Sequence, residues 1–247
     1  MTLKLITIDF WNTLFDSSNG TKRNQLRMEK LVSSINSYGR KIESPEFEKA
    51  MQASWGYFNE IWKKDMRTPL PEETVGFFWN YLGLPSDNSC IEEVAKGFAN
   101  SILDYPPKLL PGVKEALIKL SENYKLAIVS DTGFSPGNVL RELLKNSGII
   151  QYFDAFSFSD ETSVSKPHPK AFLTILEQLE FKPEEAIHIG DIEQTDIIGA
   201  KDIGMKAIRF NGDPTAVLSA NNPKESKADF LATSWDEIFD FIVNYDS

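Results

Sequence analysis

The chain has 247 residues, 41% of them hydrophobic and 25% charged, with a formal net charge of −10. That balance supports one large domain, or a core with a smaller insertion. It argues against nucleic acid or an anionic membrane as partner, since both call for basic patches, and it means that an anionic substrate needs local cations.

The first predicted element is an apolar strand from Leu3 to Ile8, with Asp9 at its mouth. A strand that starts this early leaves no room for a cleavable leader, and no apolar run is long enough to span a bilayer, so the expected location is cytoplasmic. From Ser17 to about Pro107 the pattern is helical and rich in aromatics, with three stretches standing out: Lys22 to Tyr38, Pro45 to Lys64 and Glu72 to Leu82. Trp55, Phe58 and Trp62 recur at helical spacing, as do Val75, Phe78, Trp79 and Leu82. Such spacing predicts that Trp55, Trp62, Phe78 and Trp79 form the core of this helical block, with the alternative that some of them line a substrate pocket. Tyr105-Pro106-Pro107 closes it. The single cysteine, Cys90, rules out an internal disulfide and a cysteine-built zinc site.

From Leu110 strands and helices alternate. Helices are predicted over Val113 to Leu120, Val139 to Leu144, Ala171 to Leu179 and Asp196 to Ile203. Strands are predicted over Lys125 to Ser130, Ala155 to Phe158, Ala186 to Ile189 and Lys206 to Arg209. This alternation predicts an α/β fold with a Rossmann-like parallel sheet flanked by helices. The first strand joins that sheet only if the helical block is an insertion. The expected division is therefore 1–15 and 107–247 as an α/β core, with 16–106 as an all-helical cap domain.

Reactive groups in such sheets gather at the carboxyl ends of the strands. Here those ends carry Asp9, Ser130-Asp131 and Gly190-Asp191. Attack by a carboxylate on phosphorus requires an ionised nucleophile, cations against charge repulsion, and donors for the phosphoryl oxygens. Asp9 is the candidate nucleophile, and Lys166, before Pro167, is a loop-borne positive charge. Asp191 and Asp196 supply oxygen ligands for a hard cation such as Mg²⁺. Asp131 is placed for either helix capping or support of the site, and Asp160-Glu161 reads as loop charge. His188, inside a strand, reads as a satisfied core histidine.

At these positions the chain resembles the haloacid dehalogenase-like hydrolase superfamily. The motifs in order are Asp9-x-x-x-Thr13-Leu14, the strand ending in Ser130, Lys166-Pro167, and Gly190-Asp191-x-x-x-x-Asp196. The helical block is similar to the cap that many members insert after the first motif. The resemblance implies that Asp9 forms a covalent aspartyl intermediate. Thr13 and Ser130 would orient it and bind phosphate oxygens, and Lys166 would neutralise charge. Mg²⁺ would be held by Asp9, Asp191 and the backbone carbonyl of Trp11, with Asp196 indirect. The implied partner is a small anionic molecule.

Trp11 departs from the phosphatase pattern, which usually carries an acid–base Asp there. An indole has one N–H donor and exchanges no proton usefully near neutrality. A phosphatase built this way favours leaving groups that depart unprotonated, such as acyl or aryl phosphates. The 2-haloacid dehalogenase branch carries an aromatic residue at this position, so dehalogenation is the alternative. Against it stand Asp191, where dehalogenases usually have Ser, and the lack of arginine in Pro45 to Lys64. Only Arg40 and Arg67, near the ends of that stretch, are placed to substitute. A third reading is a non-catalytic member that binds a phospho-ligand or a protein partner.

Overall fold

The computed structural model describes residues 2–85 and 87–245; Met1, Ser86 and 246–247 lie outside the described residues. The central strand β1 (Leu5–Ile8) is buried along its whole length. It pairs in parallel with β2 (Lys125–Ser130) on one side and β4 (Ala186–Gly190) on the other. With β3 (Ala155–Phe158), β5 (Lys206–Phe210) and β6 (Phe230–Ala232) the sheet has six parallel strands in the order β3-β2-β1-β4-β5-β6. Such a sheet is covered on both faces, which is why its strands read as continuous apolar runs rather than alternating ones. Ile6 and Ile8 pack on one face with Leu117, Leu140 and Trp235. These come from α5 (Val113–Leu120), α6 (Gly137–Asn146) and α10 (Trp235–Tyr245). Leu5 faces the other way, toward Phe172, Ile175 and Ala200 of α8 (Pro169–Leu179) and α9 (Ile198–Asp202). The register sets Ile8 beside Ile128 and Ile189. The three strand ends expected to carry chemistry therefore emerge side by side.

The helical insertion lies between β1 and β2, as expected. Among the described residues it holds four helices rather than the three that stand out in the sequence: α1 (Gly20–Ser37), α2 (Ser44–Lys64), α3 (Pro71–Tyr81) and α4 (Asn88–Asp104). Asp87 caps α4 by accepting from the Cys90 amide at 3.1 Å. Leu31, Phe47, Phe78, Trp79 and Phe98 form a separate apolar core in this cap. The two crossings of the chain into the cap are clipped together, because the Arg23 guanidinium donates to Ser18 O at 2.7 Å and Tyr105 O at 2.9 Å.

Further differences from the expected pattern are local. The segment Ser159–Thr162 forms one helical turn, α7. In it Asp160 accepts from the Gly137 amide at the start of α6, and Glu161 pairs with Arg141, so neither is idle loop charge. The predicted Asp196–Ile203 helix is a π-helical turn, Glu193–Ile197, followed by α9. No helix among the described residues is long and apolar enough to cross a membrane.

Candidate active site

A cavity of about 380 Å³ opens between the carboxyl ends of the strands and α2. Asp9, Asp131, Asp191 and Asp196 line it with Lys166, so four carboxylates face one ammonium. Lys166 Nζ donates to Asp9 Oδ1 at 2.5 Å and to Asp196 Oδ1 at 2.6 Å. Its backbone amide donates to Asp131 Oδ1 at 3.0 Å. Burial works against the lysine charge, but Asp196, Asp9 and Asp131 together hold it well above the ordinary lysine range. Burial raises Asp9 to about 6, with Lys166 pulling the other way. For Asp196 the burial penalty is outweighed by Lys166 and His188, and it stays below the usual carboxylate range.

Asp196 can sit here because position 190 is glycine. A Cβ on Gly190 would come within 2.3 Å of Asp196 Cγ. The π-helical turn brings Asp196 back under the strand end, where it accepts from the Ile192 amide at 2.9 Å. His188 Nε2 lies 3.2 Å from Asp196 Oδ1, and its Nδ1 lies 2.9 Å from Thr7 Oγ1. Burial keeps the imidazole below its ordinary pKa. The two bonds then assign the ring proton to Nε2, with Nδ1 accepting from the hydroxyl. His188 is satisfied, as its place inside a strand suggests, but it also braces the carboxylate that holds Lys166.

Asp191 is different. Its Oδ2 is buried and has no hydrogen-bond partner. Burial, with the charges of Asp196 and Asp9 added, pushes its carboxyl well above the usual range. Its backbone is fixed, since Asn222 Nδ2 donates to Asp191 O at 2.6 Å. The turn after it is anchored by a buried Glu193–Arg209 pair at 2.9 Å. A rigid loop that presents an unpaired carboxylate beside Asp9 suits a hard cation. No cage of three or more His, Cys, Asp or Glu side chains is present among the described residues. Mg²⁺ seldom needs one, because waters and a substrate phosphate complete its shell.

Trp11 lines the cavity next to Asp9, with its ring edge-on to Phe10 at 5.2 Å. Its indole N–H has no hydrogen-bond partner among the described residues. Thr13 and Ser130 are buried and are not part of the lining. The Thr13 hydroxyl is unpartnered, and Ser130 Oγ makes one long contact of 3.4 Å to Asp131 O.

The wall opposite belongs to α2. Trp55, Phe58, Asn59 and Trp62 line the cavity, so for Trp55 and Trp62 the pocket alternative holds rather than the cap core, which takes Phe78 and Trp79. Trp62 Nε1 donates to Asp131 Oδ2 at 2.8 Å, so Asp131 ties the cap to the Lys166 loop. Neither candidate arginine lines the cavity. Arg40 is bound to Leu82 O and Glu46, and Arg67 forms a two-pronged pair with Glu73. The sequence reading missed the support residues Asn222, Arg209 and Glu193. A buried ion pair between distant segments leaves no local signature.

Over 136 residues the chain is 32% identical to a glyceraldehyde 3-phosphate phosphatase from Pyrococcus furiosus, and it spans about half the length of that relative, 54% of each chain. It is 25% identical to an (S)-2-haloacid dehalogenase from Xanthobacter autotrophicus over 215 residues, 84% of this chain and 74% of the other. The crystal structure of a 2-haloacid dehalogenase from Pseudomonas syringae superimposes with a TM-score of 0.71 over 99% of this chain and 100% of that one; at 17% identity this likeness concerns the fold. The profile of the haloacid dehalogenase-like hydrolases matches residues 43–210, a span that contains Ser130, Lys166, Asp191 and Asp196 and begins after Asp9. With the parallel sheet, the helical insertion and these strand-end residues in place, the chain belongs to the haloacid dehalogenase-like hydrolase family.

Proposed function

We propose that this protein is a Mg²⁺-dependent phosphohydrolase of a small phosphorylated molecule, with Asp9 as nucleophile. The observation that carries this reading is the unpaired, buried Asp191 carboxylate in a cavity where four acids face a single lysine. Such a site repels any anion until a further cation joins it. Asp9, Asp191 and the backbone carbonyl of Trp11 would hold the metal, which when bound offsets negative charge on the phosphoryl group. Asp196 would act indirectly, through Lys166.

In the first step an Asp9 oxygen forms a bond to phosphorus, and the ester P–O bond breaks. The leaving oxygen takes the electron pair and departs as an anion, since Trp11 has no proton to give. Lys166 holds Asp9 in place and offsets charge as the two anions approach. In the second step water attacks the aspartyl phosphate, releases inorganic phosphate and restores the carboxylate, and the water proton goes to solvent. Thr13 and Ser130 are assigned to orienting the nucleophile and phosphate, and Asp131 to fixing the Lys166 loop. We take 16–106 as the cap domain over a core of 1–15 and 107–247.

One observation favours a second reading, 2-haloacid dehalogenation: halide leaves without a proton, which suits Trp11. The lining argues against it, since a substrate carboxylate finds no arginine there. Release of phosphate and of halide, measured on phosphate esters and 2-haloacids with Mg²⁺ and with chelator, tests the choice. We expect phosphate release that chelator abolishes. Halide release that persists in chelator would sink the proposal. Tight phosphate binding without turnover would instead identify a non-catalytic member.

A further inference from the structure

We infer that the leaving group this site takes is a planar, uncharged aromatic alcohol, so that the substrate is an aryl phosphate. The inference rests on the phosphohydrolase reading above and narrows it.

Three observations converge. The first is the cap wall. Residues 55, 58, 59 and 62 fall on one face of α2, and three of them are aromatic. Trp55 meets Phe134 edge-on at 4.9 Å, and Phe58 lies 5.5 Å from the same ring. The wall is thus backed by Phe134, a half-buried ring between β2 and α6 that also packs against the cap core. Trp55 is 40% exposed and lines the cavity, so its indole is open to contact with a planar ring. Trp11 supplies a further ring on the floor side. Asn59, whose side chain has no hydrogen bond among the described residues, offers an amide to a ring substituent.

The second is charge. Lys166 is the sole basic side chain in the lining, and its ammonium is already shared by Asp9 and Asp196. A leaving group with its own carboxylate or second phosphate meets no cation on the wall.

The third is proton supply. Without an acid at position 11, the leaving oxygen must be stable as an anion. A phenol, with a pKa of about 10, leaves far more readily than an alkoxide, whose parent acid is closer to water at about 15.7. Acyl phosphates satisfy this third condition. A small acyl group, however, would leave most of a cavity of about 380 Å³ unfilled and the aromatic wall uncovered.

The test separates ring from leaving group. Kinetics are measured with Mg²⁺ on phenyl phosphate (ring and good leaving group), benzyl phosphate (ring alone), acetyl phosphate (good leaving group alone) and ethyl phosphate (neither). Phenylphosphonate and methylphosphonate are titrated by calorimetry. We expect phenyl phosphate to exceed ethyl phosphate by at least about 100-fold in kcat/KM. Benzyl phosphate should bind as phenyl phosphate does but turn over slowly, and phenylphosphonate should bind on the order of tenfold or more tighter than methylphosphonate. Phe58→Leu, which keeps bulk without a ring, and Trp55→Ala should each narrow that phosphonate ratio. Equal phosphonate affinities, or equal kcat/KM for acetyl and phenyl phosphate, overturn the aromatic assignment and leave the phosphohydrolase standing. No phosphate from any ester overturns the phosphohydrolase and the aryl ester with it, and the phosphonate titrations still decide whether the site selects a ring.

Discussion

The two sides of the cavity are built differently. On the core side, Lys166, Asp9, Asp196 and His188 are buried, Asp131 is half-buried, and the five are bonded to one another. On the cap side, Trp55, Phe58 and Asn59 present rings and one amide with almost no hydrogen bonds between them. Charge held in low dielectric responds strongly to any change, whereas an aromatic surface tolerates substitution. Chemistry is thereby assigned to the floor and selection to the wall.

The largest expected break in that contrast is Asp9→Asn. It removes the proposed nucleophile and should lower kcat by about 10⁴-fold or more, measured by phosphate release on a protein whose circular dichroism is unchanged. Next is Trp11→Asp, which adds to the floor the acid–base group it lacks. It should raise turnover of alkyl phosphates by roughly 10²-fold and that of aryl phosphates much less. No gain in a folded, Mg²⁺-binding variant would count against the reading of Trp11.

A smaller effect concerns Asp191. Its charge is buried without a partner, so Asp191→Asn should stabilise the metal-free protein by about 1–3 kcal/mol in denaturant titrations near pH 8. The sign follows from linkage. The folded-state carboxyl is raised, so the favourable contribution is present below the unfolded pKa and lost as pH rises through the folded value. The advantage of the variant should therefore vanish near pH 4. Mg²⁺ should raise the Tm of the native protein and leave that of the variant unchanged. The smallest effect lies in the cap and runs the other way. The Tyr38 hydroxyl, with the Ser89 hydroxyl and the Cys90 amide, lowers the Asp87 carboxyl to about 2. Its contribution is present above the unfolded pKa and lost as pH falls toward about 2. Comparing native protein with Tyr38→Phe in urea should show a difference at pH 6 that shrinks below pH 4 and disappears below about pH 2.

Legibility in the sequence follows the same division. Asp9, Ser130-Asp131 and Gly190-Asp191 stand out because each ends an apolar strand, and polar residues there have no packing role. The α/β alternation is readable for the same reason. Three-residue β6 is too short for periodicity to register, and α4 and α10 carry apolar spacings that are easily passed over. The π-helical turn at 193–197 depends on Asp196 being drawn to Lys166 and His188, contacts no local pattern encodes. Helical spacing shows that Trp55 and Trp62 share a face. It does not show whether that face meets a core or a cavity, which is why both readings stay open until the fold is seen.

The hydrogen bond from Trp62 to Asp131 has a consequence for how this site can diversify. Trp62 lies on the same face of α2 as the other residues that line the cavity, one turn from Phe58 and Asn59. It is hydrogen-bonded to the core, whereas Trp55 and Phe58 meet the core only through ring contacts with Phe134. Descendants of this chain are free to exchange positions 55, 58 and 59 for new substrates while position 62 continues to report to the Lys166 loop that the cap is seated. Specificity can drift along one helix with its register pinned at a single indole.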